Sequence, residues 1–171
     1  MTMAPPPQAV LSVFATDELL FSASKDRTVK VWDLCRKEEV LSLEGHPNNV
    51  VCVKYSEPQR LAYTVSSAFI KVWDLRMNPS SCIKTLSSSG LTTNGPVVVN
   101  QSAGSRTLAM PPGETAINDI SLTPSGYGLF SAAGDKVRST NVHNKPINRC
   151  DCGTCGSSTR SGSCPGVTRR Q

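Results

Sequence analysis

No stretch of this 171-residue sequence approaches the ~18 consecutive apolar residues that a membrane-spanning helix requires, so no helical membrane anchor is expected. The opening Met-Thr-Met-Ala-Pro-Pro-Pro has no basic segment leading into an apolar run, and a secretory leader is not expected either. A net positive charge is also nearly missing from most of the chain, although the total is +5. Residues 139–171 hold Lys145, Arg149, Arg160, Arg169 and Arg170 against the single acid Asp151, whereas residues 1–138 hold 13 basic and 12 acidic side chains. The larger part therefore has no basic stripe to meet a phosphate backbone, and neither a nucleic acid nor a membrane is an expected partner. Cys35, Cys52 and Cys82 occur singly, as small buried hydrophobes of a reducing compartment do, which suits a cytoplasmic protein.

What the sequence does contain is a repeat. Residues 29–34 read VKVWDL and residues 70–75 read IKVWDL, which places Trp32 and Trp73 41 residues apart. Each copy follows an apolar strand and a polar turn. Leu20-Phe21-Ser22-Ala23-Ser24 leads into the first, and Ala62-Tyr63-Thr64-Val65-Ser66 leads into the second through a turn one residue shorter. Both stretches read as hairpins, with β-branched and aromatic residues bounded by turn formers. A third, degraded copy runs from Ile117-Asn118-Asp119-Ile120-Ser121-Leu122 through Thr123-Pro124-Ser125-Gly126 to Leu129–Arg138. There Ser139-Thr140-Asn141 stands where another apolar-Trp-Asp belongs.

A 41-residue period ending in Trp-Asp is that of one WD40 blade, a four-stranded antiparallel sheet of a β-propeller. The expected fold is all-β, a partial propeller of about three blades near 10–43, 45–86 and 117–138, the third incomplete. Residues 1–9 are expected to be disordered. Residues 87–116, rich in Ser, Gly, Thr and Pro, form an irregular insertion with short strands at Val97–Val99 and Thr107–Met110. Residues 139–171 are expected to be a disordered tail. A whole propeller needs typically 4 to 8 blades, so three leave two faces uncovered and the remaining blades are an expected partner.

In such a blade a buried relay can run from the His of Gly-His to a Ser or Thr on the second strand, an Asp in the next turn and the Trp indole on the third strand. Buried polar atoms need partners, which suits these residues to the interior. In the first blade Ser22, Asp26 and Trp32 fit, and the matching His would precede the chain. In the second His46, Thr64 and Trp73 fit, with Ser67 or Ala68 in place of the Asp. Ser22, Asp26 and His46 can be drawn as a hydrolase triad, but no nucleophile elbow or oxyanion loop surrounds them and a structural role is expected. No cofactor is expected, and His143 reads as a solvated side chain. Cys150, Cys152, Cys155 and Cys164 are enough thiols for one tetrahedral zinc ion. Their spacing is unlike paired C-x2-C ribbons, so a zinc-binding tail module is only an alternative.

Several phrases go beyond the generic repeat: SKDRTVKVWDL at 24–34, GHPNNVVCVKY at 45–55, IKVWDLR at 70–76, CIKTLSSSG at 82–90, INDISLTPSG at 117–126 and FSAAGDKVR at 130–138. Over roughly residues 10–138 the chain resembles the C-terminal propeller of kinesin-4 motors of the kinesin family member 21 group. The resemblance implies a cargo-binding or microtubule-regulating end, with tubulin, microtubules or motor adaptors as partners. A motor is not implied, because there is no G-x-x-x-x-G-K-[ST] phosphate loop and no heptad run. The expected function is a non-catalytic protein-interaction scaffold, cytoplasmic and associated with the cytoskeleton. A WD40 segment of another cytosolic complex is the alternative.

Overall fold

The computed structural model describes residues 8–77, 80–95 and 110–141. These form three antiparallel sheets and no helix. The first sheet is a meander of β1 (Val10–Ala15), β2 (Leu19–Ser24), β3 (Val29–Asp33) and β4 (Glu38–Leu43). The second contains β5 (Val50–Ser56), β6 (Leu61–Ser66), β7 (Phe69–Asp74), β8 (Ser81–Ser87) and β9 (Thr92–Asn94). The third contains β10 (Ile117–Leu122), β11 (Gly128–Ala133) and β12 (Lys136–Asn141). The opening strands β1, β5 and β10 touch in succession, which makes them the inner edges of stacked blades.

Register shows the repeat more fully than sequence identity does. The pairing of each opening strand slips at the same place, between Val10 and Ser12, Val50 and Cys52, and Ile117 and Asp119. A second slip recurs before each tryptophan, between Val31 and Trp32 and between Val72 and Trp73. Such bulges bend a strand and raise its twist, so their recurrence gives the blades one shape. The register also fixes which residues are equivalent. Leu20 pairs with Trp32, Ala62 with Trp73 and Leu129 with Thr140, so Thr140 occupies the indole position of the third sheet.

Each sheet has two unlike faces. Phe21, Ala23, Val29, Val31 and Leu43 of the first sheet pack on Val50, Val53, Ala62 and Trp73 of the second. The other side of the second sheet offers Leu61, Tyr63, Val65, Ile70 and Val72 to Ile117, Ile120, Leu129 and Ala133 of the third. The middle sheet is thus buried on both sides, and all six residues of β6 are buried. Tyr63 is fully buried, burial pushes its phenol up to about 12, and its hydroxyl has no hydrogen-bond partner among the described residues. Removing an unpaired buried hydroxyl relieves a desolvation cost. Tyr63→Phe is therefore expected to raise the unfolding free energy by about 1 kcal/mol, read from urea denaturation midpoints. A loss of similar size would show that the hydroxyl is paired.

Two parts of the architecture differ from the sequence reading. The stretch 87–116, read as an irregular insertion, begins with the end of β8 and contributes β9, which pairs Thr93 with Thr85 after a turn at Gly90. Three residues, Thr-Thr-Asn, are too few to show an alternating pattern. In the third sheet the last strand runs on to Asn141, because backbone pairing from Gly128 to Asn141 persists where the side-chain pattern fails. Met110 lies outside any strand, while Val97–Val99 and residues 107–109 fall outside the described residues.

Candidate functional site

The seam between the first two sheets holds most of the buried polar chemistry. Trp73 Nε1 donates to Thr64 Oγ1 at 2.9 Å, Thr64 Oγ1 lies 2.8 Å from His46 Nε2, and His46 Nδ1 lies 2.9 Å from the Arg27 carbonyl. With a neutral imidazole, one arrangement of protons satisfies all three contacts. An indole can only donate, so the Thr64 oxygen accepts from Trp73 and donates its own O–H to Nε2. A carbonyl can only accept, so the imidazole proton sits on Nδ1. His46 thus bridges two blades, since Arg27 lies in the β2–β3 turn of the first sheet. Arg27 adopts a left-handed backbone (φ 70°) in that turn.

The electrostatics agree with this assignment. Burial lowers the His46 pKa to about 4, the Lys71 ammonium adds to the effect, and the bond to the Arg27 carbonyl opposes it without offsetting it. Lys71 is itself buried, donates from Nζ to the Gly45 carbonyl at 2.8 Å and sits 5.7 Å from the Trp73 ring centre. Lys30 lies the same 5.7 Å from Trp32, so the cation–π pair recurs with the blade. The aspartate after each indole caps a turn: Asp33 accepts from the Cys35 and Arg36 amides, and Asp74 accepts from the Arg76 amide and guanidinium.

The Thr64–His46–Arg27 line has the outline of a nucleophile, a base and an orienting acceptor. Its chemistry differs from that of a hydrolase. Thr64 is 0% exposed and already accepts from an indole, the imidazole is a weak base, and the third member is a neutral carbonyl.

The other sequence-derived candidates are distributed as follows. Trp32 Nε1 donates to Ser22 Oγ at 3.0 Å, the counterpart of the Trp73–Thr64 bond. Asp26 does not join them, because its carboxylate accepts from the Thr28 amide and hydroxyl within its own turn. Ser22, Asp26 and His46 are accordingly not brought together. The place of a matching His for the first blade lies outside the described residues, which begin at Gln8. His143, Cys150, Cys152, Cys155 and Cys164 lie outside them too.

The second seam is joined differently. Glu114 accepts from the Ser88 hydroxyl and from the Ser89 amide and hydroxyl, while Ser88 Oγ accepts from the Thr115 amide. Burial pushes the Glu114 carboxyl up, but these donors outweigh it and hold the group below its usual range. The Ser67 carbonyl, in the β6–β7 turn, accepts from the Ile117 amide and ties the third sheet to the second. Sequence reading missed both Glu114 and the turn carbonyls.

Comparison with known proteins agrees with this geometry. The WD domain, G-beta repeat model matches residues 5–33 and 37–74. Human kinesin-like protein KIF21A is 52% identical over 131 residues, covering 77% of this chain. Human KIF21B is 46% identical over 129 residues, covering 75% of this chain. The chain spans only 8% of the length of either relative. Among solved structures, the WD40 β-propeller domain of Doa1 superposes with a TM-score of 0.59 at 14% identity, covering 82% of this chain and 39% of that one. From its repeats, its stacked sheets and these similarities, the chain belongs to the WD40 family as a partial β-propeller, in a form similar to that of kinesin-like proteins of the KIF21 group.

Proposed function

We propose that this chain is a non-catalytic scaffold for protein binding, the cargo- or microtubule-binding end of a kinesin-like protein acting in the cytoplasm at the cytoskeleton. The observation that carries this reading is the 52% identity to KIF21A across the repeat region. In the same reading Ser22, Trp32, His46, Thr64 and Trp73 serve structure, since the hydroxyl and imidazole that would do chemistry are buried between blades. Rigid sheets then present their turns to a partner, which is how loop-borne binding on a fixed scaffold works.

The proposed contact region is a shallow cleft of about 320 Å3 at the inner edge, where the ends of β1, β5 and β10 meet. Phe14, Lys54, Tyr55, Pro58 and Pro124 line it, with Lys54 Nζ 6.0 Å from the Phe14 ring centre. The test is co-sedimentation of the purified chain with microtubules polymerised from pure tubulin. Saturable binding weakened several-fold by Lys54→Glu is expected. A folded chain that stays in the supernatant at every tubulin concentration overturns the microtubule assignment.

A further inference from the structure

The second sheet shows how a blade of this chain takes up one more strand at its outer edge. β9 runs along β8 and pairs Thr92, Thr93 and Asn94 with Leu86, Thr85 and Lys84. The Gly95 amide donates to the Ile83 carbonyl and the Ser87 amide donates to the Leu91 carbonyl, so the backbone groups of Ile83, Thr85 and Ser87 face outward. Register carries this pattern to the first sheet. Val29 pairs with Leu43 as Ile70 pairs with Leu86, and Trp32 pairs with Glu39 as Trp73 pairs with Cys82. Val40, Ser42 and Glu44 are therefore the counterparts of Ile83, Thr85 and Ser87. Val40 and Ile83 are each the extra residue of the bulge before the indole, so that bulge does not prevent a strand from adding.

β4 ends its sheet, and no strand among the described residues pairs with its outer edge. It lies across the sheet from β1, the inner edge, so a further blade stacked on either face would leave it open. Beside it is an apolar groove of about 230 Å3, lined by Leu19, Val31, Val40, Leu41, Leu75 and Met77. Val40 is 45% exposed and Met77 59%. Lys30 takes up Glu39 and Arg36 approaches Glu38, while the exposed Glu44 has no ion-pair partner among the described residues.

We propose that the outer edge of β4 is a docking site for an extended peptide of another protein, which adds to the first sheet as β9 adds to the second. Backbone pairing to Val40, Ser42 and Glu44 holds the peptide, an apolar side chain enters the groove, and a Lys or Arg lies beside Glu44. Main-chain bonds supply affinity in such strand addition, and alternate side chains supply specificity.

Fluorescence anisotropy of the purified full chain with a short labelled peptide of alternating Lys and Val tests this. Saturable binding is expected, with hydrogen exchange of the Ser42 amide slowed several-fold in the complex. Glu44→Lys should weaken binding several-fold. Ser42→Pro removes an outward donor without touching the bonds to β3 and should weaken it at least as much, with an unchanged β-sheet circular dichroism signal. Peptides N-methylated on every Lys or on every Val leave the protein unaltered, so they decide the matter even where Ser42→Pro does not fold. One should bind and the other should not, because only alternate amides of an added strand face its neighbour. Lys54→Glu, at the inner-edge cleft, should bind the peptide as the wild type does. A folded chain that does not bind, two methylated peptides that behave alike, or an alternating Glu and Val peptide that binds as tightly would each overturn the proposal.

Discussion

Trp73→Ala should lower the unfolding free energy by about 3 to 5 kcal/mol, the usual cost of emptying a large aromatic site in a core. The indole is buried among Val50, Val53, Ala62 and the apolar face of the first sheet, so the cavity would open inside a seam. The same change also removes the donor to Thr64. Thr64→Val separates the two contributions, because valine has nearly the same shape but leaves the Trp73 N–H and His46 Nε2 without a partner. Each orphaned group costs roughly 1 to 3 kcal/mol. A Thr64→Val protein that is lower by about 2 to 6 kcal/mol in urea denaturation would show that hydrogen bonding contributes on the scale of packing. A change below about 0.5 kcal/mol would show that apolar contact alone holds this seam.

Acidification should weaken the same seam. His46 titrates near its ordinary value of 6.5 in the unfolded chain and at about 4 in the folded one, so between these values the unfolded chain binds more protons. The contribution of the neutral imidazole is complete above pH 6.5 and is lost as the pH falls towards about 4. The full loss is roughly 3 kcal/mol, at 1.36 kcal/mol for each pH unit between the two values. The depressed carboxyls add their losses only further down, below the ordinary values of 4.5 for Glu114 and 3.8 for Asp74, whose pKa is lowered mainly by the Arg76 side chain. Denaturation midpoints measured from pH 7 to 5 therefore report on His46. They should decline steadily in the wild type and stay level in His46→Phe, a variant less stable at pH 7. Equal slopes in the two proteins would remove His46 as the source.

The parts of this structure that were legible in sequence are those written in side-chain pattern. VKVWDL and IKVWDL announced two blades, and the degraded copy from Ile117 to Arg138 announced the hairpin of a third. The pairing of each indole with a second-strand hydroxyl was also readable, since Ser22 and Thr64 stand at matching places before their tryptophans. What could not be read depends on the backbone. The acceptor for His46 is a carbonyl in a left-handed turn, and any residue at position 27 would supply one. The bulges leave no compositional trace. Glu114 meets Ser88 and Ser89 from 26 and 25 residues away, across a stretch with no period to follow. Asp26 was assigned to the relay by analogy, yet Thr28 two residues on satisfies its carboxylate.

The unlike faces of each sheet make the pile vectorial. A middle blade turned back to front would set Val65, Ile70 and Val72 against Phe21, Val29 and Val31, two greasy surfaces with no donor between them, and would turn Thr64 and Lys71 away from the seam that holds His46 and the Arg27 carbonyl. Assembly errors of that kind are penalised at every joint, so the order in which blades succeed one another is encoded locally. A copy of the unit can then be added or lost at either end without rewriting the units that remain.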